Sequence, residues 1–311
     1  MKNFNLQKFF TNKLNIVLLA VLCMLLWGSA CPVIKIGFEC FKIDGDEIFS
    51  KLLFAGIRFT SAGVIVLCVV SLLKRKFVKL DKKSVKSTLA LGFVQTTVQY
   101  IFFYIGLSNT TAFKSAVLTA AGTFFLLIFA SILYKDDRLS VAKIIGCIVG
   151  FSGVIITNIN SITSHTGISL IGEGFVLISA IAFAVSSIMS KEATSKFNAF
   201  AVISYSLIFG GSTLIIIGLC GGGCLENISI KGILILMYLA MVSSTAVTTW
   251  TLLLRYNKAG KIGIYNFLLP VFSAILSALL LKEEVFTFIN LLALFLVCIG
   301  IYIVNREPSK K

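Results

Sequence analysis

Charge is scarce in this chain: only 13% of its 311 residues are Asp, Glu, Lys or Arg, where soluble domains carry about 25%. Histidine is scarcer still, with His165 the single example. One histidine excludes an HExxH metal site and argues against a histidine triad, the more so because His165 falls in an expected outer loop. No GxSxG and no GxxxxGKS/T segment occurs. The chain therefore has neither a nucleophile elbow nor a phosphate-binding loop, and it is expected neither to hydrolyse ATP nor to be an enzyme. Zinc-type Cys/His spacing is missing as well, so no metal and no cofactor are expected. Of eight cysteines, Cys23, Cys31, Cys68, Cys147 and Cys298 lie in or beside apolar runs, where a thiol behaves as a small hydrophobe. Cys220 and Cys224 flank three glycines and either pair or simply mark a turn.

What is abundant is apolar surface. Hydrophobic residues make up 58% of the chain and the mean hydropathy is +0.99. A soluble core could not hide so much, because cores stop growing as chains lengthen. Lipid is the remaining solvent, and a span needs about 20 apolar residues at about 1.5 Å rise each. Ten runs qualify: 14–34, 48–73, 85–107, 112–134, 141–157, 168–190, 199–219, 230–254, 262–281 and 288–304. The expected fold class is all-α integral membrane. The first run reads as a span rather than a cleaved signal peptide, being long and lacking a small-residue cleavage site.

The net charge of +15 does not point to nucleic acid, because the basic residues sit in short loops between apolar runs and form no separate patch. Their distribution sets orientation instead. With the N-terminus placed in the cytoplasm, cytoplasmic segments hold 21 of the 28 Lys and Arg and outer segments hold 6, Arg58 lying inside a span. Both termini are therefore expected in the cytoplasm, in a multi-pass cell (inner) membrane protein.

The halves resemble each other. Shifted by 147, residues 129–158 fall on 276–305, so that Asp137 meets Glu284, Gly153 meets Gly300 and, upstream, Lys114 meets Lys261 and Phe103 meets Trp250. A second offset, 156, pairs Trp27 with Phe183 and Lys35 with Lys191. Residues 14–158 and 168–305 thus form two five-helix repeats. Five is odd, so the second repeat enters the membrane from the opposite side. Inverted repeats of this kind build many secondary transporters, with substrate held near the midplane between them.

Trp27-Gly28-Ser29, Arg58-Phe59, then Asp137-Arg138-Leu139-Ser140 followed by Gly146 and Gly153, and in the second half Pro270, Glu284 and Gly300, resemble the motifs of the EamA family of drug/metabolite transporters in order and spacing. Departures are Asp137 in place of Glu, Thr123 where span four often has Pro, and Ala293 in place of the second repeat's first Gly. The resemblance implies ten spans, a central cavity between the repeats, and export of amino acids or related metabolites. Alternatives are uptake or exchange of a vitamin, nucleoside or sugar derivative, or an integral-membrane lipid-modifying enzyme. The last would need an Asp/His/Ser cluster at one membrane face, and none is found. The partners are a small-molecule substrate and the bilayer.

Candidate site residues follow from polarity inside spans. Gln95 and Gln99 lie four apart in span three and share a helical face; they either contact a polar solute or bond between helices. Tyr100 and Tyr104 lie beside them. Arg58 is the one charge well inside a span; it either receives a substrate carboxylate or is structural, snorkelling outward or pairing with a residue such as Glu39. Trp27 lines a cavity or packs, whereas Trp250, about a turn from a span end, is expected to anchor at the interface. In span nine, Tyr265 and Asn266 precede Pro270, which makes either a hinge with an unwound site or a tolerated bend. The thirteen carboxylates all fall in loops, termini or span ends. An intramembrane acid is the usual proton carrier, so its absence favours movement down the substrate's own gradient. Lys114 and Lys261, which begin spans four and nine, are the best remaining coupling candidates, with ordinary interfacial lysines the favoured reading. Asp136-Asp137 and Glu283-Glu284 precede spans five and ten, with Ser140 and Thr287 as caps, and Gly146, Gly150 and Gly153 favour close helix contact.

Overall fold

A computed structural model describes residues 6–135, 137, 140–157, 170–282 and 287–305. His165, Asp136, Arg138, Glu283 and Glu284 lie outside the described residues. All regular structure among those described is helical. In chain order the α-helices are α1 (Leu6–Thr11), α2 (Lys13–Cys40), α3 (Ile48–Leu73), α4 (Val85–Gly92), α5 (Gln99–Ser108), α6 (Ala112–Ala120), α7 (Gly122–Leu133), α8 (Val141–Thr157), α9 (Phe175–Lys196), α10 (Ala199–Cys220), α11 (Ile230–Tyr256), α12 (Ala259–Gly263), α13 (Leu269–Leu281) and α14 (Phe288–Asn305). Eight helical stretches among the described residues are long and apolar enough to cross a membrane, and 141–153 adds a shorter apolar one.

Local chemistry sets the helix starts. Asn12, Thr111, Asn198 and Ser229 each cap the following helix with a side-chain oxygen, satisfying amide donors that have no carbonyl one turn back. Ser140 Oγ accepts from Lys143 N at 3.2 Å and caps α8. The outward faces are apolar: Leu72, Leu73, Ile132 and Leu279 are each more than 70% exposed. Such a belt is stable only against lipid, where apolar side chains lose nothing by exposure.

Packing follows an interleaved two-fold pattern. Helix α2 lies against α11 and α13, while its counterpart α9 lies against α5, α6 and α7; the equivalent pairs α3–α10 and α8–α14 pack on each other. Each half is thus completed by the other. Small residues set the approach at the self-paired contacts. A Cβ at Gly300 would sit 2.6 Å from Gly146 O and 2.9 Å from Gly150 N, so α8 and α14 touch backbone to backbone, as expected for glycines in a membrane helix pair.

Spans three, four and nine are interrupted along their length, and only in span nine had the sequence, through Pro270, offered an unwound site. Span three carries a π-helical turn at Phe93–Val98 between α4 and α5. Span four breaks at Ala121 between α6 and α7. Span nine passes through a 3₁₀ turn, Ile264–Leu268, before Pro270 opens α13. Proline at the start of a helix costs no hydrogen bond, because that N–H has no intrahelical partner anyway. Thr123, related to Pro270 by the 147-residue offset, instead donates to Gly263 O at 3.1 Å. The Cys220–Cys224 pairing is not formed; both thiols are free and exposed.

Candidate functional site

The interruptions surround one cavity. Four positions of α2 line it, Trp27, Ala30, Cys31 and Ile34, and the offset of 156 maps them one to one onto the lining residues of α9, Phe183, Ser186, Ser187 and Ser190. Spacings of 3, 4 and 7 place each set on one helical face. The first wall is apolar and the second, below Phe183, is a ladder of hydroxyls. Gln95 and Thr96 enter from the π turn, Gln99, Tyr100 and Phe103 from the π turn's exit and α5, Thr119 from α6, Trp250, Thr251 and Leu254 from α11, and Asn266 from the 3₁₀ turn. Irregular backbone inside a membrane is tolerated where it borders such a space. About 60 Å³ is free for the centres of water molecules, room for about four waters.

Each residue nominated from sequence has a definite place. Trp27, Arg58, Gln95, Gln99, Tyr100 and Asn266 all border this cavity. Pro270 is buried one turn past Asn266 and does not border it. Arg58 neither snorkels nor reaches Glu39: it is 1% exposed. Its Nε donates to Ser243 Oγ at 2.8 Å and to Leu239 O at 3.3 Å. Its Nη1 donates to Tyr104 Oη at 3.1 Å, and the guanidinium lies 4.8 Å from the Phe59 ring centre. Trp250, expected at the interface, is buried beside Trp27 and Phe183 at ring separations of 5.4 and 6.1 Å. Its partner under the repeat, Phe103, is a lining residue too, which is the signal that could have placed it. Ser243 and the hydroxyl ladder are the other residues that sequence reasoning missed; three serines within five residues of one span were the available hint.

Several polar atoms at the cavity have no hydrogen-bond partner among the described residues: Gln99 Oε1, Asn266 Nδ2, Thr96 Oγ1 and Trp250 Nε1. Leaving a buried donor or acceptor unmade costs about 1–3 kcal/mol, so these groups are available to a polar guest.

Matching contacts bridge the bundle just past the lining residues. At the end opposite the N-terminus, Lys35, next to Ile34, donates to Thr110 O at 2.8 Å; Thr110 Oγ1 donates to Glu173 at 3.2 Å, and Lys114 lies 3.8 Å from the same carboxylate. At the N-terminal end, Lys191, next to Ser190, donates to Asn257 O at 2.7 Å, and Tyr134 Oη donates to Glu192 at 2.8 Å. Lys35 and Lys191 are related by the offset of 156, Thr110 and Asn257 by that of 147, so the two lysine contacts are the same contact made once per repeat. Asp137, beyond them, is buried between Lys143 Nζ at 2.9 Å and the Gly260 amide at 2.8 Å. Lys261 is exposed.

The sequence model of the EamA-like transporter family matches residues 14–159 and 170–306. Among similar proteins, the uncharacterized transporter YvbV of Bacillus subtilis is 27% identical over 96% of this chain and 93% of its own length. An uncharacterized transporter of Archaeoglobus fulgidus is 25% identical over 90% of this chain and 95% of its own. A protein of Escherichia coli named a probable amino-acid metabolite efflux pump is 25% identical, covering 92% of this chain and 93% of its own. A crystal structure with 14% sequence identity superposes with a TM-score of 0.72, covering 94% of this chain and 98% of that one, and shows the shared fold. With both halves of the sequence matched and the helices packed as interleaved inverted repeats, this multi-pass membrane protein belongs to the EamA-like transporter family.

Proposed function

We propose that the chain is a secondary transporter that exports small polar metabolites such as amino acids by alternating access around the central cavity. The repeats, 14–158 and 168–305, are the two halves that rock; the termini face the cytoplasm and the membrane is the cell (inner) membrane. The observation that carries this reading is the pairing of the site by the repeat: the lining positions of α2 and α9, and the lysine contacts beyond each end, occur once per half. Opening one end while the other stays bridged exposes the same unpartnered polar atoms to one side at a time. The family and the efflux pump of Escherichia coli support solute export over the other directions.

Energy comes from the solute's own gradient. No Asp, Glu, His or Lys lines the cavity among the described residues. The buried acids, Glu173 and Asp137, lie toward the two ends beside Lys114 and Lys143. A proton-coupled carrier needs an intramembrane group that is charged in one facing state and neutral in the other. The test is flux of a panel of labelled amino acids from liposomes holding the purified protein, with no pH difference imposed. Efflux down the gradient, unchanged by a protonophore, is expected. Accumulation that requires a pH step overturns the coupling; no flux of any amino acid, with unchanged medium composition when the gene is deleted, overturns the export reading.

A further inference from the structure

The charge balance of the cavity is uneven. Arg58 is its one ionised side chain among the described residues, and every partner it has there is neutral: a serine hydroxyl, a backbone carbonyl, a tyrosine hydroxyl and the face of Phe59. Guanidinium carries five N–H donors in a planar fork. The bonds above occupy Nε and one hydrogen of Nη1, so no described residue bonds to Nη2. The residue is held some 15 Å along α3 from its first residue, near mid-span, where a charge without a counter-charge is costly. Ser243, Leu239 and Tyr104 hold Nε and Nη1 of this cavity-lining residue, which leaves the Nη2 edge unbonded by any described residue. In the same lining, Gln99 Oε1 and Asn266 Nδ2 supply one unbonded acceptor and one unbonded donor on side chains that are 6% and 1% exposed.

We infer that the solute carries one net negative charge on a carboxylate that takes the Nη2 edge of the Arg58 guanidinium, while Gln99 and Asn266 bond a neutral polar group elsewhere on it. This inference rests on the cavity being the transport site. It narrows the solute to small monoanionic acids, 2-hydroxy and 2-oxo acids or acidic amino acids, in preference to neutral zwitterions. A zwitterion brings no net charge and leaves Arg58 uncompensated.

The test uses pairs of equal shape that differ in charge: lactate against lactamide, and glutamate against glutamine. Each is titrated against the purified full chain in detergent, with thermal stabilisation as readout and chloride as the spherical-anion control. In each pair the anion is expected to bind tighter than its amide by about thirtyfold or more, as for an intact buried charge pair against a broken one. Arg58→Gln should abolish that preference, and Arg58→Lys, which keeps the charge but loses the fork, should retain only part of it. Equal binding of acid and amide, absence of stabilisation by both anions, equal stabilisation by chloride, or a preference that survives Arg58→Gln each overturns the inference. If Arg58→Gln does not fold, the paired titrations of the unaltered protein still decide. Liposome flux separates the two readings. Glutamine moving as fast as glutamate removes the charge rule and keeps transport, whereas charge-selective binding without flux of any probe keeps the site and removes transport.

Discussion

Gln99 has one amide oxygen that bonds to nothing among the described residues while the side chain is almost fully buried. A residue kept for packing would not leave an acceptor unmade, since removing such a group is neutral or stabilising for the fold. Gln99→Leu is therefore expected to leave the melting temperature unchanged or raised while lowering flux at least about tenfold, the loss of one buried polar contact. Thr97, two residues earlier in the π turn, makes the contrast. Its hydroxyl donates to Gly210 O at 3.1 Å, so Thr97→Val should destabilise by about 1 kcal/mol and alter flux only through yield. Melting curves and flux per folded protein check both; a matching fall in stability and flux for Gln99→Leu would make it a packing residue. Gln95, half-buried in the same turn, should show the smaller effect of the two glutamines.

At the scale of elements, the informative contacts are the two lysines at the ends of the lining stripes. Lys35 ties α2 to the turn between α5 and α6, and Lys191 ties α9 to the turn between α11 and α12. Each charge-assisted bond contributes about 1.5–3 kcal/mol, enough to shift a two-state equilibrium by tenfold or more. Removing one should free one end only. Cys31 lines the cavity and serves as reporter in a variant that keeps it as the sole cysteine. Lys35→Met should raise its labelling by an impermeant thiol reagent from the side opposite the N-terminus, and Lys191→Met from the N-terminal side. Equal effects from both sides would mean that the lysines stabilise the bundle without governing access.

For the whole molecule, the distribution of basic residues predicts which way the bundle sits. Lys82 and Asn198 are exposed on the N-terminal side, and Gly45, with no atom within 4 Å of an added Cβ, is exposed on the other. Single cysteines at Lys82 and Asn198 in a cysteine-free background should resist an impermeant reagent applied to intact cells, and one at Gly45 should react. Labelling at Lys82 would reverse the orientation. The charge bias gives this expectation its strength because basic loops cross the membrane least readily during insertion.

Much of this architecture was determined by sequence alone, for a physical reason. In lipid each apolar run must hydrogen-bond its own backbone, so length and hydropathy identify the helices, and the offsets of 147 and 156 relate the halves. Polar residues inside spans must turn inward, which is why Trp27, Arg58, Gln95, Gln99, Tyr100 and Asn266, chosen from far apart in the chain, border one cavity. What only the tertiary structure decided depends on contacts between distant segments. The partner of Arg58 is Ser243, 185 residues away, rather than an acid. Trp250 lies inside, not at the interface, because α11 packs on α2 and brings it against Trp27. The turns at 93–98 and 264–268 carry no proline or glycine of their own. Propensity has no means of marking the first, whereas Pro270, just beyond the second, offered a break in span nine; both turns border the cavity, through Gln95 and Asn266.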